Sequence, residues 1–588
     1  MLWLLQASIT AMHVPSNKTD RLALLKFKQA IESDPQSVLS SWNDSVNMCN
    51  WVGITCSLRH QRVTALDLPQ RNLHGFISPY IANLTFLRSI TLSNNSFLGD
   101  IPQDIGRLFR LRVLRLSNNT LGGVIPVSLV MNCSNLEILD ILINKLAGKL
   151  PKEIGFLVKL VRICAGGNNL TGDIPPTIDN LSSLETFRVS FNNLVGHIPD
   201  DVGHLKRLLF FHIAANGLSE ISMAYNHQLR GTLPDNIGIT LPNLQALGLA
   251  SNQFSGRIPA SLCNASKLQI ISINYNNFVG QVPTNFGNLQ ELWWLGVGFN
   301  NLGRNSSNDL DFVRSLRNCS KLKILAFNHN HLGGVLPNSI ANLSAQLNLL
   351  LLASNQVSGN IDGAVFENLI NLIELAMEDN HFTGIIPTSF GKISPAIGEC
   401  QILEYLFLQG NSFQGILPSS LASLKSLQVL DLSRNKLSGQ IPKDLEKIPT
   451  FLYLYLSYNN LEGEVPKSGA FGNASAISLT GNAKLCGGVS TLKLPTCPIK
   501  LSKQEKKKNF KMIIAMVSVA MSFLVLTTFV VVYWRRKSTY KSTSVLSILE
   551  SLPKASYRRL YEAIEGFSPI NLIGSGGFGS VYKGVLDQ

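Results

Sequence analysis

The sequence predicts an α/β solenoid, in which short strands from stacked repeats form one parallel β-sheet along an inner curve, followed by one membrane helix. Two observations predict this class. A leucine-rich pattern recurs between residues 63 and 466, and the 23-residue stretch at 512–534 carries no charged side chain. The composition agrees, because 45% of the 588 residues are apolar and only 15% are charged. That balance excludes a disordered polymer.

The repeat is followed most directly through its asparagine, which recurs with a dominant spacing of 24 residues, as from Asn95 to Asn119. Two copies are "LRVLRLSNNTLGGVIP" at 111–126 and "LQVLDLSRNKLSGQIP" at 427–442. The Leu-x-Leu alternation predicts a strand, and the carboxamides predict a stacked column that bonds the backbone of adjacent turns. The repeat asparagines are Asn95, Asn119, Asn144, Asn168, Asn192, Asn216, Asn226, Asn252, Asn276, Asn300, Asn330, Asn355, Asn380, Asn411, Asn435 and Asn459, with Arg71 in a first, imperfect copy.

The spacing breaks at two places. Asn216 and Asn226 are ten residues apart, so "ANGLSEISMAYN" is interpreted as one repeat spliced into another. Asn380 and Asn411 are 31 apart, across "GKISPAIGEC". A strand beside a shortened turn is poorly supported, which predicts local disorder or a kink at these points.

Four of the nine cysteines form two local pairs that bracket the repeats. Cys49 and Cys56 lie in "CNWVGITC", and Cys486 and Cys497 lie in "CGGVSTLKLPTC". Two such pairs favour disulfides in an oxidising compartment over zinc, because neither has a second Cys/His pair at zinc spacing.

The stretch at 512–534 is long enough to cross a bilayer as a single helix. From Lys500 onward fourteen Lys/Arg stand against five Asp/Glu, so nine of the fourteen net positive charges lie near this stretch. The charge therefore indicates contact with membrane lipid or a stop-transfer role, and no nucleic-acid partner.

Asn-x-Ser/Thr acceptors all precede the stretch at 512–534, which favours an extracellular N-terminus and a single-pass protein of the plasma membrane. Residues 1–14 resemble a weak or truncated signal peptide. The acceptors are Asn17, Asn43, Asn83, Asn94, Asn118, Asn132, Asn169, Asn180, Asn264, Asn305, Asn318, Asn342 and Asn473.

Aromatic residues between the framework leucines are candidates for a ligand surface, because rigid aromatics anchor binding interfaces. Trp294 and Phe407, centred in predicted strands, are the better candidates, with Tyr275, Phe299 and Tyr455 beside them. Aromatics directly before the repeat asparagine have an alternative interpretation, in which they only shield the edge of the sheet and bind no ligand. That group comprises Phe191, Tyr225, Tyr275, Phe299 and Tyr458.

The last residues, "NLIGSGGFGSVYKGVLDQ" at 571–588, match the pattern Gly-x-Gly-x-x-Gly-x-Val. Glycines let backbone NH groups approach phosphates, and the strand-like flanks favour a hairpin over the dinucleotide loop that precedes a helix. The predicted nucleotide loop comprises Ile573, Gly574, Ser575, Gly576, Gly577, Phe578, Gly579 and Val581.

Together these segments resemble plant leucine-rich-repeat receptor-like kinases of the subgroup that perceives microbial patterns. The resemblance gives the domain boundaries: an N-terminal cap at 15–62, about sixteen plant-type repeats at 63–466, a C-terminal cap at 467–499, extracellular and cytoplasmic juxtamembrane segments at 500–511 and 535–570, and a kinase N-lobe fragment at 571–588. It implies an extracellular peptide or microbial pattern as ligand and a co-receptor kinase as partner.

The family also implies serine/threonine phosphorylation with ATP and Mg²⁺, and a role in immunity. The chain as given has no His-Arg-Asp or Asp-Phe-Gly segment, so we expect it to be inactive as a kinase, with no catalytic residue, cofactor or metal site of its own. A kinase-less receptor or decoy is the alternative function, and a purely adhesive protein is a more remote one. Without a lobe to pack on, the tail after Ser556 is predicted to be weakly ordered.

Overall fold

The computed structural model describes residues 17–215, 229–366, 368–392, 403–498, 503–536, 556–577 and 579–585. Contacts divide the chain into two compact units, with the boundary after Cys497. The predicted signal segment at 1–14 lies outside the described residues.

One long β-sheet runs through the first unit, as the repeat predicts. Its strands pair in parallel and in register, so that Leu114 lies opposite Leu139 and Leu139 opposite Ile163. The first strand is the exception, because it pairs antiparallel with the second. The strands are Ile54–Cys56, Val63–Asp67, Ser89–Thr91, Val113–Arg115, Ile138–Asp140, Arg162–Cys164, Thr186–Arg188, Phe210–His212, Ala246–Gly248, Ile270–Ser272, Trp294–Gly296, Ile324–Ala326, Leu349–Leu351, Glu374–Ala376, Tyr405–Phe407, Val429–Asp431, Tyr453–Tyr455 and Ile477–Ser478.

The repeat asparagines form the predicted column of backbone contacts. Asn119 is typical: its Nδ2 donates to the carbonyls of Leu92 and Leu116 at 3.1 and 3.0 Å, and its Oδ1 accepts from Phe97 N at 2.9 Å. The side chain thus bonds backbone groups of the repeat before it as well as its own. Because these groups are buried beyond the strand ends, the carboxamide supplies the partners that the sheet no longer provides.

A second set of short strands lies beyond the asparagines, which the sequence analysis did not predict. The glycine of the Gly-x-Ile-Pro pattern allows these strands to lie close together. Gly99, for example, has φ +73°, and a Cβ there would meet the Phe76 ring at 2.8 Å. Stacked repeats can approach this closely only without a side chain. These strands are His74–Phe76, Ser96–Asp100, Thr120–Gly122, Ala147–Lys149, Asn169–Asp173, Asn193–Val195, Arg230–Gly231, Gln253–Gly256, Asn277–Gly280, Asn301–Leu302, Ser358–Asn360, His381–Thr383, Gln414–Ile416, Lys436–Gly439, Asn460–Val465 and Lys484–Gly487, with Ile31–Ser33 antiparallel to the first.

Short helices close most repeats after the Ile-Pro, where proline fits the first positions of a helix. The α-helices of the first unit are Asn17–Gln29, Val127–Asn132, Ile237–Thr240 and Asp311–Ser315. The 3₁₀ turns are Val38–Ser41, Met48–Asn50, Pro79–Asn83, Gln103–Arg107, Lys152–Phe156, Pro176–Asn180, Asp200–His204, Ala260–Asn264, Phe286–Asn288, Leu316–Asn318, Asn338–Asn342, Gly363–Phe366, Thr388–Lys392, Ser419–Ser423, Lys443–Lys447, Gly469–Gly472, Ala474–Ala476 and Ser490–Leu492. The core of buried leucines, isoleucines and phenylalanines runs between these turns and the long sheet.

The N-terminal cap covers the first repeat with a disulfide, a stacked tryptophan pair and a buried ion pair. Cys49 and Cys56 are joined with an S–S distance of 1.97 Å, and the Trp42 and Trp51 rings stack at 5.4 Å. Asp20, with no exposed surface, receives Arg62 Nε and Nη2 at 2.8 and 2.7 Å. This bidentate pair ties the first helix to the edge of the sheet.

The C-terminal cap continues the repeat rather than replacing it. Asn482 accepts from Leu461 N at 3.0 Å and donates to Leu456 O at 2.9 Å, as a repeat asparagine does. The column of asparagines therefore passes the predicted repeat boundary at residue 466. Cys486 and Cys497 are joined with an S–S distance of 2.03 Å.

The two irregular spacings leave the long sheet continuous. Phe210 pairs directly with Ala246, and Asn252 Nδ2 donates to Ile213 O at 3.0 Å. Asn216 and Asn226 lie outside the described residues, so the interpretation of one repeat spliced into another stays a prediction. Glu374 likewise pairs directly with Tyr405. The expected disorder or kink falls on 216–228 and 393–402, outside the described residues.

In the second unit, the helix Lys503–Arg536 contains the predicted membrane stretch. In the part of the chain that the structure describes, no helix meets the length and apolarity that crossing a bilayer requires.

The tail contains the helix Tyr557–Ala563, the turn Pro569–Asn571 and a hairpin of Leu572–Gly576 with Gly579–Tyr582. Phe567 packs edge-on against Tyr561 and Tyr582, with ring centroids 5.5 and 5.2 Å apart. The rings bridge the helix and the hairpin, and the expectation of a weakly ordered tail stays a prediction.

Candidate functional site

The long sheet presents one continuous surface, which we call the open face. In most three-residue strands the middle side chain is buried in the core while the first and third are partly exposed, as in Val113–Arg115. The open face consists of these first and third residues and of the second and third positions after each strand, because the position directly after the strand is buried, as Leu116 is. Since the strands are in register, equivalent residues of successive repeats form rows along it.

The centre of the open face is apolar. Ile270, Trp294, Ile324 and Leu349 follow one another in the row of first strand positions, and each is half-buried. The neighbouring row, formed by the third strand positions, includes the small residues Gly248, Gly296 and Ala326. A wide apolar strip next to a row of small residues leaves room for a ligand against the sheet.

The strands directly before this apolar centre carry Arg162, Arg188 and His212, which we call the basic end of the centre. Arg188 lies in register with His212 on the next strand, and its guanidinium lies 5.4 Å from the Phe210 ring. His212 lies over Gly248, where an added Cβ would meet its Cδ2 at 3.3 Å. Burial, helped by the charge of Arg188, lowers the pKa of His212 to about 4, so this imidazole is neutral at neutral pH.

The strands that follow the apolar centre, with the positions after them, carry Glu374, Glu378 and Asp431, which we call the acidic end of the centre. Burial raises the pKa of all three carboxyl groups, that of Glu378 to about 7. The neighbouring acids, Asp379 among them, add to the shift of Glu378. Asp431 Oδ1 accepts from Ser433 N at 2.9 Å, which opposes its shift. Like charges held together at low hydration favour binding of a cation.

Several buried polar atoms at the two ends have no hydrogen-bond partner among the described residues. At the basic end these are Arg188 Nε and His212 Nε2, and at the acidic end Glu378 Oε2 and Gln409 Oε1. Unpaired buried polar atoms are costly and rare in folded proteins. Sequence reasoning missed all these residues, although their shared position beside the framework leucines could have indicated them.

The predicted ligand aromatics separate into two groups. Trp294, Phe407 and Tyr455 are half-buried strand residues of the open face. Tyr275 and Phe299 instead precede repeat asparagines, and their rings stack at 4.0 Å, with Phe299 in turn 4.0 Å from His329. This column along the sheet edge matches the edge-shielding alternative. Of the other aromatics, Tyr225 lies outside the described residues.

The predicted glycosylation acceptors are accessible in the structure. Twelve of the thirteen are exposed, and Asn83 is half-buried. Asn94 and Asn118 lie directly before repeat asparagines and share a hydrogen bond of 2.8 Å.

The glycine-rich loop forms an exposed hairpin, in which a Cβ added at Gly574, Gly576, Gly577 or Gly579 would meet nothing within 4 Å. Open backbone of this kind suits the phosphates of ATP. Phe578 lies outside the described residues. Within the described residues no group of three or more His, Cys, Asp and Glu is placed to hold a metal ion.

Comparison with protein families identifies the repeats. The chain matches the leucine rich repeat N-terminal domain at 17–57. It matches leucine rich repeats at 86–108, 110–131, 183–205, 243–265, 267–289, 321–343 and 371–393, and again at 402–461.

Comparison with individual proteins identifies plant receptors. The LRR receptor-like serine/threonine-protein kinase EFR of Arabidopsis thaliana is 36% identical over 99% of this chain and 70% of its own length. A TDR receptor structure superposes with a TM-score of 0.60 at 26% identity, covering 72% of this chain and 76% of that one. The ectodomain of the plant membrane receptor kinase GASSHO1/SCHENGEN3 from Arabidopsis thaliana, in complex with CASPARIAN STRIP INTEGRITY FACTOR 2, gives 0.52 at 28%, covering 76% and 62%. By this similarity, the chain belongs to the leucine-rich-repeat receptor-like serine/threonine-protein kinases.

Proposed function

We propose that this chain is the ligand-sensing part of a cell-surface receptor whose open face binds an extracellular peptide or microbial pattern. The observation that carries this proposal is the open face itself, with its apolar centre and its charged ends with unpaired polar atoms. The GASSHO1/SCHENGEN3 ectodomain, which has the same fold, is in complex with CASPARIAN STRIP INTEGRITY FACTOR 2. That similarity supports a binding role for the solenoid.

The proposal includes a single-pass arrangement in the plasma membrane, with 512–534 as the spanning helix and the N-terminus outside. Its support is the uncharged sequence of this stretch and the exposed acceptor asparagines before it. Basic residues on both flanks would contact anionic membrane lipid.

Protease added to intact plant cells expressing the chain should remove the repeats and spare a tag at the C-terminus. Protection of the repeats would contradict this orientation.

For the protein in its family form, we propose that ligand binding recruits a co-receptor kinase and leads to serine/threonine phosphorylation with ATP and Mg²⁺ in immune signalling. Membership of the receptor kinase family supports this step, as does the open glycine-rich hairpin. The catalytic groups would have to come from kinase residues that are not in this sequence.

A glycan placed on the open face tests the binding proposal. Ile270→Asn creates an Asn-Ile-Ser acceptor in the apolar centre, and Lys436→Asn creates an Asn-Leu-Ser acceptor on the second set of strands. The full chain, displayed on plant cells, is incubated with a pooled library of short synthetic and bacterial peptides. We expect Lys436→Asn to bind the same peptides as the unmodified chain and Ile270→Asn to bind none.

Mobility shifts on glycosidase treatment confirm that both glycans are attached. If glycosylated Ile270→Asn keeps the binding of the unmodified chain, the ligand lies elsewhere. If no form of the chain binds any peptide, the sensing proposal fails.

A further inference from the structure

We propose that the ligand is an extended peptide with opposite charges at its two ends, whose acidic end binds at Arg162 and Arg188 and whose basic end binds at Glu374, Glu378 and Asp431. This rests on the proposed function and adds the charge pattern and the length of the ligand.

The basic end has donors available for an acidic group. Arg162 is exposed and Arg188 half-buried, and neither has a carboxylate within 4 Å among the described residues. Arg188 Nε is buried and unpaired there. Asp140 is the nearby acid, on the strand before Arg162, and it is engaged by Ser117 Oγ at 3.1 Å. The arginines thus keep a net positive charge that a ligand carboxylate would neutralise.

The acidic end has acceptors available for a basic group. Glu378 Oε2 and Gln409 Oε1 occupy equivalent positions in adjacent repeats, and both are buried and unpaired among the described residues. Asp379 lies beside them. A Cβ added at Gly410 would lie 2.1 Å from Asp379 Oδ1, and the glycine therefore leaves space next to this carboxylate. Arg434 is the positive charge near Asp431 and does not balance the four acids. An ammonium or guanidinium group supplies the donors that these atoms lack.

The spacing of the two ends fits an extended chain. Seven strand-to-strand steps separate the strand of Arg188 from that of Glu374. At about 4.8 Å per step this is roughly 34 Å, the length of about ten residues of extended peptide. A single small molecule would not reach both ends, whereas a short peptide does.

The surface between the ends suits a peptide backbone. A Cβ on Gly296 would lie 2.6 Å from Asn274 Nδ2, so this carboxamide lies over the glycine. Asn274 Oδ1 is already bonded to Gly298 N at 2.8 Å, which leaves the amide hydrogens for a ligand carbonyl. The half-buried Trp294 beside it offers an apolar anchor for side chains of the ligand.

The test uses capped synthetic peptides as probes and the full chain in detergent. The first probe carries paired aspartates at one end and paired arginines at the other, separated by a neutral Ser/Val segment that spans roughly 34 Å when extended. The second has the same composition with the charges intermixed, and the third has half the spacing. We expect the first to bind at least about tenfold more tightly than the others, because only it forms charge-assisted bonds at both ends.

Variants of the chain then locate each end. Arg188→Gln and Glu378→Gln should each weaken the first probe by about tenfold, whereas the exposed controls Arg257→Gln and Glu462→Gln, away from the long sheet, should leave it unchanged. Arg188→Glu should recover binding when the probe aspartates are replaced by lysines. Equal binding of the three probes, equal losses in the control variants, or no recovery would each overturn the inference.

Failure of this inference is distinguishable from failure of the proposed function. If the charge variants change nothing while the glycan from Ile270→Asn still blocks library peptides, the open face binds a ligand without this charge pattern. If the glycan also changes nothing, the proposed binding surface itself is wrong.

Discussion

Ile143 holds a backbone conformation that suits its side chain poorly. Its φ is +50°, as at the residue before most repeat asparagines, where Asn94, Asn118 and Gly167 occupy the same place. A β-branched side chain in this left-handed region costs about 1–2 kcal/mol, and asparagine tolerates it better.

We therefore expect Ile143→Asn to raise the stability of the surrounding repeats by about 1 kcal/mol. Hydrogen exchange of strands Ile138–Asp140 and Arg162–Cys164, with the thermal midpoint, measures the change. The reciprocal control is Ser251→Ile, at an equivalent position with φ +58°, which should destabilise its repeats. Faster exchange in Ile143→Asn would contradict the strain argument.

Two repeat asparagines differ in the number of bonds they make, which gives a matched pair. Asn276 donates to Leu249 O and Ile273 O and accepts from Phe254 N at 3.0 Å. Asn252 makes the corresponding donations, but its Oδ1 has no partner among the described residues. We expect Asn276→Ala to cost about 3 kcal/mol and Asn252→Ala about 1 kcal/mol less, measured by chemical denaturation. Equal losses would mean that the acceptor bond contributes nothing.

At the scale of elements, the buried ion pair of Asp20 with Arg62 joins the first helix to the edge of the sheet. Asp20→Ala would remove the bidentate carboxylate partner of the buried Arg62, which costs about 3–5 kcal/mol. We expect hydrogen exchange in Asn17–Gln29 and Val63–Asp67 to quicken sharply. Asp44→Ala is the control, because the Asp44 side chain is 93% exposed in its pair with Arg21 and should have little effect. Similar exchange in both variants would show that the buried pair is not what docks the helix.

Across the whole molecule, the basic and acidic ends of the apolar centre respond to pH in opposite directions. The pKa of His212 is lowered, so the unfolded chain binds more protons and stability near His212 rises with pH between about 4 and 6.5. The pKa of Glu378 is raised from its ordinary 4.5 to about 7, so stability near Glu378 falls as pH rises through that range.

Glu378→Gln should remove the loss of stability with rising pH that the raised pKa of Glu378 causes. We expect the variant to be more stable than the unmodified chain by on the order of 1 kcal/mol at pH 7.5, after allowance for partial exposure, and to match it near pH 4.5. Thermal midpoints across this pH range make the comparison, with Glu462→Gln as an exposed control. A difference that is the same at both pH values would contradict the burial of Glu378 as its cause.

The repeat, the column of asparagines and both disulfide pairs could be predicted from the sequence alone. These features follow from local spacing: leucines two residues apart, an asparagine every 24 residues and cysteines seven and eleven apart. The family followed from the same motifs and is confirmed by the similarity to EFR. Periodic patterns of this kind survive without tertiary information because each repeat contacts mainly its neighbours.

Which side chains share the open face could not be predicted from the sequence, because it follows from the stacking of the repeats. Arg188 and Glu374 are far apart in sequence and lie at the two ends of the apolar centre because the strands stack in register across both irregular repeats. Register also made Asn482 a repeat asparagine and turned Tyr275 and Phe299 into an edge stack. Such placements depend on which repeats pair, and pairing is set by hydrogen bonds between distant residues rather than by local spacing.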